Sequence, residues 1–174
     1  MADDRVLWEL ICQRDARAFG AFYQENAPRL LAFLRHAVGN RQAAEDIMQE
    51  AFIHIWSRPN GFRPERGTLR AYLYGIGRNR AGEWWRNQDP RSVGLDNNLA
   101  VTQTDSISIR DAFGRLPEEQ RTLLWLREVE GQSYAELAQI LKIPVGTVKS
   151  RLFAAREDLR IIWKGALPER KEGI

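Results

Sequence analysis

Between Arg63 and Arg86 the sequence interleaves Tyr72, Tyr74, Trp84 and Trp85 with the guanidinium groups of Arg70, Arg78, Arg80 and Arg86. Aromatic faces stack unpaired bases while arginines hold the phosphates, so this composition suits a single-stranded nucleic acid. A second stretch with chemistry in it begins after Gly131. Ser133 with Glu136 three residues on has the form of a capping box, which predicts a helix start. Ala135, Leu137, Ala138 and Leu141 make that helix amphipathic, and Ile143-Pro144-Val145-Gly146 predicts a turn. Val148, Leu152, Ala155 and Leu159 then mark the inward stripe of a second helix over Thr147 to Arg160. Its opposite face offers Thr147, Lys149, Ser150, Arg151, Phe153, Arg156 and Arg160. A helix with hydroxyls and cations in its first turns fits the major groove, while the preceding helix aims its N-terminus, near Ser133 and Tyr134, at a phosphate. The competing reading is a purely structural helical hairpin, with solvated arginines elsewhere.

The elements that must position these residues read as helices almost throughout. Val6, Leu7, Leu10 and Ile11, then Phe19, Phe22 and Tyr23, recur at helical spacing. Pro28 suits the first turn of a helix that carries Leu30, Leu31, Phe33 and Leu34 and ends near Gly39. Asn40 is placed to cap a helix from Arg41 to Trp56, and a long helix is expected from Thr68 to Arg86. Residues 88–106 hold few large apolar side chains and read as a linker. Pro117 followed by Glu118 and Glu119 starts another helix. The expected fold is all-α, with two small helical domains (5–87 and 107–165) joined by a flexible linker. At ~3.3–3.6 Å per residue a linker of roughly 20 residues spans ~70 Å, about twice one turn of DNA. Two separated sites on one duplex are within its reach without dimerisation.

Composition narrows the function classes. The 174 residues are 44% apolar, enough for a core, and the net charge of +3 is unevenly spread. Acids outnumber bases up to Ser57, whereas seven arginines face only Glu65 and Glu83 from Arg58 to Arg86. A local cationic block fits a polyanionic partner. The single cysteine, Cys12, excludes an internal disulfide framework and fits a reducing cytoplasm; its apolar neighbours predict a buried thiol. No signal or spanning segment is visible, so a soluble cytoplasmic protein is expected. Glu50 and His54 are four apart, but His36 is the only other histidine, so neither a metal site nor a cofactor is expected. No Walker-type phosphate loop appears, and no catalytic residue is assigned.

The string Gly146-Thr147-Val148-Lys149-Ser150-Arg151-Leu152, with the helix before it, resembles region 4 of the extracytoplasmic-function class of sigma factors. That domain reads the minus-thirty-five promoter element. The resemblance assigns duplex contacts to Ser133, Tyr134, Thr147, Lys149, Ser150, Arg151, Phe153 and Arg156. Upstream, Ala44-Glu45-Asp46-Ile47-Met48-Gln49-Glu50-Ala51-Phe52-Ile53-His54-Ile55-Trp56 is similar to region 2.2. There the resemblance gives Asp46, Gln49, Glu50 and Phe52 contact with the polymerase clamp helices. Arg63 to Arg86 is similar to regions 2.3 and 2.4, which open the promoter and hold the minus-ten strand. It implies strand contacts at Arg63, Arg66, Thr68, Arg70, Tyr72, Arg78, Asn79, Arg80, Trp84, Trp85 and Arg86. The implied partners are core RNA polymerase, through its clamp and flap, promoter DNA and an anti-sigma protein. Neither membrane insertion nor a homo-oligomer is required. Five residues depart from the family pattern: Lys142 at a turn position often held by glycine, Ala154 for a basic residue, Tyr72 for tryptophan, Gly77 for alanine and Glu83 for aspartate. Glycines 75, 77 and 82 each cost up to ~1 kcal/mol in a helix and predict a soft one. The alternative function is a helix-turn-helix regulator that acts without polymerase.

Overall fold

The computed structural model describes residues 4–58, 61–87 and 109–165, and every regular element among them is helical. Helix α1 (Asp4–Cys12) turns into α2 (Ala16–Val38) through Arg14, which takes the left-handed φ of 63°. Asp15 starts α2 by accepting hydrogen bonds from the backbone N–H groups of Arg17 (2.8 Å) and Ala18 (3.0 Å). Pro28 does not start a helix; α2 runs through it for 23 residues. Both Pro28 and Gln24, whose carbonyl loses its donor, face solvent, where water replaces the missing bond. On the inner side Asn26 donates to the Phe22 carbonyl at 2.9 Å and braces the same turn.

Gly39, at φ 68°, closes α2, and the Asn40 side chain accepts from the Ala43 N–H at 2.9 Å to open α3 (Arg41–Ser57). A single 3₁₀ turn, Pro64–Arg66, leads into α4 (Leu69–Asn87). The first turn of α4 is capped twice. Thr68 Oγ1 accepts from the Ala71 N–H at 3.1 Å, and the Asp4 carboxylate of α1 accepts from the Leu69 N–H at 2.9 Å. Leu30, Phe33, Leu34, Ile55, Leu69 and Leu73 are fully buried where α2, α3 and α4 meet. Gly77 has a packing reason: a Cβ there would sit 3.1 Å from Leu30 Cδ1, so its absence lets α4 lie close on α2. The helix cost expected of the glycines is therefore offset at this position by close contact.

The second group of helices comprises α5 (Ile109–Gly114), α6 (Glu118–Leu124), α7 (Tyr134–Leu141) and α8 (Val145–Gly165). Pro117 precedes α6 as expected, but the chain then widens into a π turn over Trp125–Val129 that no local pattern announces. Leu126 and Glu130 are both buried around this turn, and Gly131, at φ 67°, leads out of it. The linker expected over 88–106 lies outside the described residues. The two groups of helices are in contact, with α4 packed against α7. No helix among the described residues is long and apolar enough to cross a membrane.

Candidate nucleic-acid interface

The α7–α8 hairpin is built as its sequence predicts. Ser133 Oγ accepts from the Glu136 N–H at 3.2 Å while the Glu136 carboxylate accepts from the Ser133 N–H at 2.8 Å, completing the capping box. Burial on its own would raise the Glu136 pKa, but the Ser133 N–H, the Thr68 hydroxyl and Arg70 outweigh it and hold the carboxyl below its ordinary value. Lys142 closes α7 in the left-handed conformation, φ 55°, in place of a glycine. Val148, Leu152 and Ala155 of α8 are buried, and Leu159 is half-buried below them. Lys149, Ser150, Arg151, Phe153 and Arg156 are exposed on the opposite face, with Thr147 half-buried at its edge. Tyr134 lies beneath two cations, Arg127 at 4.7 Å and Lys149 at 5.8 Å from its ring. Arg151 pairs with Glu119 at 3.5 Å and Arg156 with Glu128 at 2.6 Å. Exposed pairs of this kind contribute ~0–1 kcal/mol, so a phosphate competes with them readily.

The polar and aromatic residues of α4 and of the turn before it differ in exposure. Arg63, Arg66, Asn79 and Arg86 are exposed, and Arg70, Tyr72, Arg78 and Arg80 are half-buried. Tyr72 stands 5.7 Å from Phe62, which is itself buried edge-on against Trp8, and its hydroxyl is 3.4 Å from His54 Nε2. His54 is thereby engaged with the aromatic loop. Gly61 lies so close that a Cβ would fall 2.5 Å from the Tyr72 hydroxyl. Trp84 and Trp85 meet edge to face at 4.9 Å, and the Trp85 indole N–H donates to the Ala37 carbonyl at 3.1 Å. Trp85 is thus tied to α2, leaving Trp84 beside Asp46, Glu50 and Arg80 in a surface groove. Tyr74 is fully buried and donates to Glu130 at 2.7 Å, so it offers no stacking face in this arrangement. Thr68 Oγ1 donates to Glu136 at 2.9 Å, and Arg70 reaches the Glu130 carbonyl at 3.5 Å. A cleft of about 560 Å³ brings Arg78, Asn79 and Arg86 of α4 opposite Lys142 and Arg151 of the hairpin.

On α3, Asp46, Gln49 and Glu50 are exposed together, with Gln42 bonded to Asp46 at 3.0 Å and Arg80 3.5 Å from Glu50. Phe52 is placed differently from a surface contact. It is 3% exposed, packed against Phe22 at 5.9 Å and Tyr23 at 4.6 Å. The apolar residue that shares the exposed face is Ile53, 62% exposed. Its spacing was available in the sequence, since 46, 49, 50 and 53 follow helical steps of three and four. Cys12, expected to be buried, is half-buried; burial raises its thiol pKa, which keeps it protonated.

Residues 22–91 match the Sigma-70 region 2 family and residues 106–159 match the Sigma-70 region 4 family. The ECF RNA polymerase sigma-E factor of Haemophilus influenzae is 30% identical, the alignment covering 88% of this chain and 92% of that protein. The RNA polymerase sigma-H factor of Pseudomonas aeruginosa is 30% identical over 88% of this chain and 90% of its own length. Among solved structures, CnrH in complex with the cytosolic domain of CnrY superposes with a TM-score of 0.72 at 24% identity, covering 94% of this chain and 98% of that one. The sigma factor RpoE of Bartonella quintana, solved with the anti-sigma factor NepR, gives 0.66 at 26% identity over 86% of this chain and 98% of its own. With both regions present in order and 88% of the chain aligned to such relatives, this chain belongs to the extracytoplasmic-function sigma factors.

Proposed function

We propose that this sigma factor directs promoter-specific initiation through three separate surfaces: α3 for polymerase, α4 for the melted minus-ten strand and α8 for the minus-thirty-five duplex. The observation that carries the assignment is the pair of cationic helices, α4 and α8, one laced with aromatics and one with hydroxyls in its first turns. Stacking plus arginines suits an unpaired strand, and hydroxyls plus cations suit a groove. Ser150, Arg151, Phe153 and Arg156 read the duplex, with Ser133, Tyr134, Thr147 and Lys149 anchoring the phosphates. Arg63, Arg66, Thr68, Arg70, Tyr72, Arg78, Asn79, Arg80, Trp84, Trp85 and Arg86 serve the strand. Asp46, Gln49 and Glu50 meet the polymerase clamp, with Phe52 supporting that face from beneath; the second domain meets the flap. The domains run over 5–87 and 107–165.

The chain acts in the cytoplasm as a non-enzymatic subunit, without a cofactor. An anti-sigma protein is its regulatory partner, as NepR is for the Bartonella quintana factor. In vitro transcription with core polymerase over a library of genomic promoters tests the reading. Initiation from a set sharing two spaced elements is expected, lost in Asp46→Ala. Sequence-independent initiation, or duplex binding with no retention of polymerase, would point to a free-standing regulator instead.

A further inference from the structure

The π turn between α6 and α7 sends two neighbouring side chains toward the face of the hairpin assigned to DNA. The Glu130 N–H bonds the Trp125 carbonyl five residues back at 3.2 Å, and a turn of this width re-aims the side chains it carries. Arg127 pins the backbone there. Its guanidinium donates to the Gln132 carbonyl at 2.7 Å and lies 4.7 Å from the centre of the Tyr134 ring. Glu128, the next residue, meets Arg156 of α8, 28 positions along the chain. Arg156 Nε at 3.2 Å and Nη2 at 2.6 Å both donate to Glu128 Oε1. Glu128 first, and more weakly Tyr134, hold the Arg156 pKa above its ordinary value. The two side chains are 48% and 55% exposed, so the pair adds little to stability. A carboxylate on a surface that meets a polyanion also opposes binding. Direction, rather than strength, accounts for its place.

We propose that Glu128 determines specificity at one base pair of the minus-thirty-five element, as the positioning residue that aims Arg156 at a guanine. The inference rests on the assignment of Arg156 to the duplex and deepens it. A guanidinium carries five N–H groups in a rigid plane. Glu128 takes the side edge, Nε with Nη2, which leaves the end edge, Nη1 with the second Nη2 hydrogen, for another pair of acceptors. Two parallel donors on one edge match the O6 and N7 acceptors that guanine presents in the major groove. A phosphate takes Arg156 only by displacing Glu128, whereas a base edge joins the end of the guanidinium and leaves the pair intact. An arginine without such a partner turns to the nearest phosphate, a contact that carries no sequence information. Holding two donors beforehand also removes rotamer freedom that binding would otherwise have to remove.

Holoenzyme formed from core polymerase and the full chain is selected on promoters randomised across the upstream element. Glu128→Gln keeps the size of the side chain and removes its charge at an exposed position. It is expected to lower the preference for guanine at one base pair by about tenfold, with the other positions unchanged. Binding to duplex without the element does not weaken, since a negative charge has been removed from the surface. Arg156→Ala relaxes the same position, and adding Glu128→Gln to it changes nothing further. Glu128→Asp, which keeps the charge on a shorter arm, recovers part of the preference. A uniform loss across all positions in Glu128→Gln makes the residue merely structural and overturns the proposal. A further change when Glu128→Gln is added to Arg156→Ala makes Glu128 a reader in its own right and overturns it as well. Unchanged preference in Glu128→Gln, where Arg156→Ala relaxes it, overturns the positioning role alone. Unchanged preference in both defeats the assignment of Arg156 to the duplex, and the proposal with it.

Discussion

The imidazole of His36 lies nearly flat on the indole of Trp125, with ring centroids 4.6 Å apart and planes 14° from parallel. Phe113 closes on it at 5.2 Å, and neither His36 Nε2 nor Trp125 Nε1 finds a hydrogen-bond partner. Burial, and then the Arg121 guanidinium, hold the imidazole pKa below its ordinary 6.5. A proton therefore binds His36 more tightly when it is unstacked from Trp125 than when it is packed. The packing contribution is complete above pH 6.5 and is lost as pH falls from there through the lowered pKa. Scattering from about pH 7.5 to about pH 5.5 is expected to show expansion. His36→Phe, which keeps the stack but cannot titrate, should remove that pH dependence.

Adjacent residues on α3 are expected to behave in opposite ways. Phe52→Ala empties a site among Phe19, Phe22 and Tyr23 and should cost about 3–5 kcal/mol in denaturant unfolding. Ile53→Ala, at an exposed position, should change stability by less than about 0.5 kcal/mol yet weaken retention of core polymerase. Loss of polymerase in Phe52→Ala alone would place the contact beneath the helix rather than on its face.

Lys142 holds a left-handed conformation that disfavours a side chain. Lys142→Gly is expected to raise the unfolding free energy by roughly 0.5–1 kcal/mol, the relieved strain exceeding the added freedom of the unfolded chain. Thermal unfolding checks the sign.

Lys149 is exposed on α8 and close to Tyr134. Lys149→Ala should weaken duplex binding about equally across sequences and lower the salt slope by about one. A change confined to one base position would make Lys149 a reader of sequence instead.

What the sequence disclosed were the features made by neighbours. The Ser133–Glu136 box, the Asn40 cap, the Gly39 stop and the buried stripe of Val148, Leu152 and Ala155 each depend on residues within a turn or two. Pro28 misled because its tolerance depends on which side of α2 faces water, a property of the fold rather than of the dipeptide. The burial of Phe52 was not legible because the rings that draw it inward, Phe19, Phe22 and Tyr23, belong to α2. Tyr74 looked like a stacking residue because its partner, Glu130, is 56 positions away and beyond a π turn that carries no local signature.

The Asp4 carboxylate that receives the Leu69 N–H has a consequence for the order in which this protein forms. A helix that borrows a cap from 65 residues upstream gains the full strength of its first turn only after that long loop has closed. During synthesis α1 must await the emergence of α4, and the two ends of the first domain then lock in one event. Native-state hydrogen exchange should find the Leu69 amide opening together with α1, so that the helix assigned to open DNA begins where α1 is fastened.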